Sequence, residues 1–174
     1  MSAFPPITKW LIPSDLWQAS FEEMAIDGRR GDEGVVLWLG VRANGESEVT
    51  RAVFLRGAGV VKAPALLQID ASLMNDVTDV AIDQNVVLLG QIHSHGPGYS
   101  VDLSYTDRTH GIAVPNYLSL VAPDYAMRPR TSPADCGVHV YGQGSGFVRL
   151  SREEASRRVL LVDRASQAPI VVGG

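Results

Sequence analysis

The chain has 174 residues, 45% of them hydrophobic, enough for one compact domain with its own core and too few for a second. Its 15 basic and 19 acidic residues leave a formal net charge of -4, which gives no broad basic field for phosphates and excludes nucleic acid as a main partner. The longest apolar runs, such as Val35 to Leu39 and Val86 to Leu89, are strand-sized and far short of the ~20 residues that a membrane helix requires.

The first residues lack a charged start followed by a long apolar stretch and a cleavage site, so no secretion signal is visible. Cys136 is the single cysteine, which rules out an intrachain disulfide and suits a reducing cytoplasm. In front of the strand pattern Gly137 to Tyr141 it reads as a small buried residue and not as a nucleophile.

Residues 1–13, with Pro5, Pro6 and Pro13, read as an extended lead-in. Ser14 then reads as an N-cap, and Leu16, Trp17, Phe21, Met24, Ala25 and Ile26 follow helical spacing over Asp15 to Ile26, with Gln18, Glu22 and Glu23 on the polar side. The turn from Asp27 to Asp32 ends that helix and delivers Glu33 to a strand over Gly34 to Val41. Gly45 marks the turn to an antiparallel partner over Ser47 to Leu55. A further extended piece covers Ala65 to Ile69, and a second helix opens at Asp70, Ala71 or Ser72 and runs through Leu73, Met74, Val77, Val80 and Ala81.

The run Val86 to Ile92 is apolar and β-branched, as a buried central strand requires, and His93 and His95 continue from its end. Side chains two apart on an extended chain point the same way, so both imidazoles can face one cation. Gly96, Pro97 and Gly98 break the strand. Ser104 follows as an N-cap with Asp107 in the first helical turn, where its carboxylate can supply a third ligand. Three protein ligands with a fourth position for water is the open arrangement of catalytic metal sites.

The rest of the chain alternates in the same manner. Tyr117 to Val121 reads as a strand. Pro123 to Pro133 is a loop with Arg128 and Arg130 that could border a substrate groove, and Val138 to Tyr141 with Phe147 to Leu150 is a hairpin turning on Gly142, Gly144 and Gly146. Ser151 starts a last helix that passes into Val159 to Val162, and residues 164–174 form a tail ending in Gly173-Gly174. This alternation predicts an α/β sandwich, with a mixed central sheet flanked by helices over residues 14–163.

His93-x-His95 followed by Ser104-x-x-Asp107 resembles the motif of the JAMM zinc metalloproteases, also called the MPN-plus or JAB domain. Residues 96–103 intervene, one more than that family's usual spacing, and Gly96 stands where a proline is common. The family also has a glutamate upstream, shortly before an apolar strand that closes on glycine; Glu33, ahead of Val35 to Gly40, fills that place, with Asp32 as the fallback. The resemblance covers the region from Asp15 to Leu150.

It implies a single-domain JAMM/MPN fold of cytidine-deaminase-like type, and one Zn2+ per chain held by His93, His95 and Asp107. Glu33 would be the catalytic base, and Ser104 the hydrogen-bond donor to the developing oxyanion. It further implies cleavage after the C-terminal glycine of a ubiquitin-like protein, by deconjugation or precursor processing. The compact length looks more like the bacterial and archaeal members; bacterial relatives occur in operons with E1-like and E2-like proteins, some of them antiviral. The alternatives are a non-catalytic MPN scaffold module, and a zinc amidohydrolase or sulfur-carrier-processing peptidase acting on another substrate.

Overall fold

The structure, a computed structural model, describes residues 5–174. In chain order it contains β1 (Lys9–Pro13), α1 (Ser14–Gly28), β2 (Val35–Ala43), β3 (Glu46–Leu55), β4 (Val60–Ala63), β5 (Leu66–Ile69), α2 (Ala71–Asp83) and β6 (Val87–Ser94). Then follow α3 (Tyr105–His110), β7 (Leu118–Ala122), β8 (Gly137–Gly142), β9 (Gly146–Arg149), α4 (Arg152–Arg158), β10 (Val159–Val162) and β11 (Ile170–Val172). The main sheet is mixed, in the order β10-β1-β3-β2-β6-β7-β8-β9, with β11 beside β3; β4 and β5 form a separate hairpin. The expected α/β sandwich is therefore what the chain forms. No helix among the described residues is long and apolar enough to cross a membrane.

The centre of the sheet is apolar on both faces because helices cover both. Val35, Leu37 and Leu39 of β2 pack with Val53 and Leu55 against Leu73, Val77 and Ala81 of α2. The alternate residues Val36 and Trp38 meet Trp10, Leu16, Trp17 and Met24 from β1 and α1, together with Ile92 and Leu120. Ser20 of α1, fully buried, gives Trp38 its partner: the indole Nε1 donates to Ser20 Oγ at 3.1 Å, and that hydroxyl donates on to the Leu16 carbonyl at 2.8 Å.

Several boundaries differ from expectation. Helix α1 includes Ser14 and is preceded by Pro13 as the N-cap residue. Glu23, placed by the spacing on the polar face, is buried where it pairs with Arg56, and Asp27 is buried between Lys62 at 2.8 Å and Arg30 at 2.6 Å. The pairs with Arg56 and Lys62 tie the end of α1 to the residue after β3 and to β4. The extended piece before α2 is half of the β4–β5 hairpin.

Both ends of the chain enter the sheet. Residues 9–13 of the sequence-predicted lead-in are β1, parallel to β3 and β10, with Trp10 and Ile12 fully buried; residues 1–4 of that lead-in lie outside the described residues. Within the predicted tail, β11 pairs with Val53–Leu55 of β3 and buries Val172. The structural unit thus runs beyond 14–163 in both directions, because the edge of β3 opposite β2 is completed by strands from the two ends.

Candidate metal centre

Strand β6 pairs with β7 up to Ser94 opposite Ala122, and the next amide, that of His95, donates to the Ala122 carbonyl at 2.9 Å. Extended geometry therefore persists through His95. Its imidazole falls on the same side as that of His93, and the two Nε2 atoms are 3.2 Å apart.

Asp107 arrives from the first turn of α3, held by a capping box. Ser104 Oγ accepts from the Asp107 amide at 3.1 Å, while Asp107 Oδ2 accepts from the Ser104 amide at 2.8 Å. The same Oδ2 lies 3.5 Å from Nε2 of each histidine. The cap is thus also the arm that carries the carboxylate to the imidazoles.

The donor atoms of His93, His95 and Asp107 all lie within 4.8 Å of one another, and the chemistry of the set fits one metal ion. His95 Nδ1 donates to the Ser100 carbonyl at 2.6 Å, which leaves the lone pair on Nε2, facing the site. His93 Nδ1 faces the Gln91 carboxamide at 3.5 Å, and the other end of that amide meets the Tyr117 hydroxyl at 3.0 Å. A half-turn of the amide exchanges donor and acceptor, so His93 can also carry its proton on Nδ1.

The electrostatics agree. Burial works against an ionised Asp107, but the His93 and His95 imidazoles that face it, together with Ser104, hold its carboxyl well below the usual carboxylate range. Burial alone would lower the His95 imidazole; Asp107, the Ser100 carbonyl and the charge of Glu33 outweigh it and raise it. Positive charge is stabilised where the three groups meet.

Glu33 is positioned by a different part of the fold. In the antiparallel β2–β6 ladder Val35 lies opposite His93, and the Gly34 amide and carbonyl bond Ser94 Oγ and the Ser94 amide at 2.9 and 3.0 Å. Continuing that register sets Glu33 across from His95. The Glu33 amide donates to the Ala63 carbonyl at 3.0 Å, which fixes the β4–β5 hairpin beside it. Its carboxyl is buried and pushed up to about 7, chiefly by desolvation, with His95 opposing the rise and Asp107 adding to it. The neighbouring Asp32 carboxylate turns instead towards Arg30, 3.8 Å away.

The remaining candidates have plainer places. Ser104 is exposed, and its oxygen caps α3. His110, which follows Asp107 on α3, is no sequence candidate; it is exposed and stands outside the metal-ligating group. The Cys136 thiol is buried and raised by desolvation, as expected of an inert cysteine.

The pair that sequence reasoning missed is Asp102 and His139. His139 is fully buried on β8, with Nε2 2.7 Å from Asp102 Oδ1, and Asp102 also takes the Arg108 guanidinium at 2.8 Å. Together they hold down the loop that presents the Ser100 carbonyl to His95. The available signal was a histidine between Val138 and Val140, at an inward position of an apolar strand. Gly137 serves the same contact, since a Cβ there would collide with the Val101 carbonyl.

A cleft of about 420 Å3 opens beside Asp107, walled by β5 and α3 and including Leu67, Gln68, Met74, Thr106 and His110. Strand β5 pairs only with β4 among the described residues, so its second edge is free.

Fold and centre together define a mixed α/β domain with a His-His-Asp group able to hold a metal ion. No protein-family profile matches the chain. It is similar to the probable metalloprotease y4jG of Sinorhizobium fredii (strain NBRC 101917 / NGR234), with 27% identity over 131 residues, 74% of this chain and 80% of that protein. In three dimensions it resembles the solution structure of protein DSY2949 from Desulfitobacterium hafniense, with a TM-score of 0.56 and 17% identity over 89% of this chain and 94% of the other. The second likeness is one of fold.

Proposed function

We propose that the protein is a zinc-dependent peptidase of JAMM type that cleaves the bond after the C-terminal glycine of a ubiquitin-like protein. The observation that carries this reading is the convergence of His93, His95 and Asp107, with a buried carboxyl, Glu33, across the ladder that does not belong to the ligating group. The similarity to a probable metalloprotease supports the peptidase class. Zinc is favoured because bonds of about 2.0–2.1 Å in a tetrahedron imply ligand separations of about 3.3 Å. The three separations in the site are 3.2, 3.5 and 3.5 Å.

Bound there, zinc would polarise a carbonyl and make water acidic enough to deprotonate near neutrality. Glu33 is suited to move the proton: with a carboxyl pushed up to about 7, it can accept one near neutral pH and return it to the leaving amine. Ser104 keeps its oxygen on the Asp107 amide and, being exposed, can turn its hydroxyl proton to a developing oxyanion. The free edge of β5 suits an extended tail added as a further strand, and a diglycine end allows close backbone approach.

A cytoplasmic enzyme working with E1-like and E2-like partners encoded beside it completes the proposal; neighbouring genes without such proteins would count against those partners. The decisive experiment is cleavage of a ubiquitin-like C-terminal fusion by wild-type, Glu33→Ala and chelator-treated protein. Only untreated wild type should cleave. Turnover by Glu33→Ala would remove that residue as the base, and no cleavage by metal-loaded wild type would overturn the substrate class.

A further inference from the structure

A second trough, of about 690 Å3, lies between α1 and the loop 123–131 and shares no residue with the metal centre. Its helix wall extends from Ser14 to Arg29. At 1.5 Å per residue that wall is about 22 Å long, which suits an extended peptide of about six or seven residues better than a compact small molecule. The floor is apolar. Trp17 and Phe21 lie with ring centroids 5.0 Å apart, and Met127 is 47% exposed above them. The Trp17 indole donates to the Thr131 carbonyl at 3.0 Å, which fixes the loop wall to the helix.

The rim is cationic in a chain of formal net charge -4. Arg29 comes from the end of α1 and Arg128 and Arg130 from the loop. Arg128 is paired with Asp124 at 2.6 Å, while Arg29 and Arg130 have no ion-pair partner among the described residues. The single carboxylate in the lining, Glu22, is held by the Gln18 amide at 2.8 Å. The loop backbone is strained: Asp124, Tyr125, Ala126 and Arg130 have φ of 54°, 53°, 59° and 56°, the left-handed region that favours glycine. Strain of this kind persists where contacts over-determine the backbone, and it gathers at ligand clamps.

We infer that this trough binds an acidic peptide segment of a protein partner, with apolar side chains on Phe21 and Met127, which the buried Trp17 backs, and carboxylates on Arg29 and Arg130. Nucleic acid fits less well, because the Trp17 indole is 6% exposed and offers no open ring face for stacking. The site goes beyond the peptidase reading and is independent of it. It is nevertheless linked in space to the metal centre, since the Tyr125 amide of the loop donates to the His95 carbonyl at 2.8 Å.

The test is fluorescence anisotropy on the full chain in chelator, where peptide turnover cannot interfere. The probe is a labelled peptide of about seven residues alternating aspartate and leucine, and its control replaces aspartate by asparagine. Saturable binding of the acidic probe is expected, with the control, Arg29→Glu and Arg130→Glu each weaker by about tenfold, and Arg157→Glu on α4 unchanged. Circular dichroism verifies that the variants fold. Equal binding of both peptides, no binding of either, or full affinity in both trough variants would overturn the inference. So would displacement of the probe by a short single-stranded oligonucleotide, or self-association that Arg130→Glu abolishes, which would make a second copy the occupant.

Discussion

The Asp102 carboxylate and the His139 imidazole meet at 2.7 Å and fasten the loop between His95 and Ser104 to the sheet. Burial lowers the His139 imidazole from its ordinary value despite the opposing pull of Asp102, and its other nitrogen, Nδ1, faces the Ser119 carbonyl at 3.3 Å. The loop in turn supplies the carbonyl that fixes the tautomer of His95. His139→Phe should therefore weaken metal binding by about tenfold to a hundredfold without unfolding the chain. Competition against a chromophoric chelator measures it, and an unchanged affinity would show that the loop holds its shape without the pair.

Glu33 should make stability depend on pH in the metal-free protein. Its carboxyl ionises near 4.5 when unfolded and near 7 when folded. Across that window the folded state retains a proton that the unfolded state has lost, so this contribution falls as pH rises. Glu33→Gln should remove that part of the slope and be more stable than wild type by roughly 3 kcal/mol above the window, with the difference vanishing below it. Urea unfolding in chelator across the pH range gives the comparison; identical slopes would mean that the carboxyl is solvated.

Metal should stabilise the fold, because the three donor atoms come together only when β6 and α3 are in place. With free Zn2+ at about 100 times its dissociation constant, the gain is about 2.7 kcal/mol. A rise in Tm on adding Zn2+, absent in His95→Ala, is the expected result of differential scanning fluorimetry. An equal rise in both proteins would place the ion elsewhere.

Ser20 lies far from the chemistry and tests the core. Ser20→Ala strands the buried Trp38 Nε1–H without its acceptor and should cost about 1–3 kcal/mol in urea denaturation, while metal affinity stays as in wild type. A loss below that range would mean that the indole finds another partner.

The amino-acid sequence determined what is local. His93 and His95 share a face because they sit two apart at the end of an apolar strand, and Ser104 and Asp107 form a cap because a helix begins there. Period and spacing encode both pieces within a few residues of chain, and so they are readable one by one. Only the tertiary structure decided what depends on pairing between distant segments. The β2–β6 register sets Glu33 across from His95, the sheet order brings His139 under Asp102, and the ends of the chain become β1 and β11 on the edge of β3. No periodicity in one segment specifies which distant strand it will pair with, because register is fixed by the packing of both faces at once.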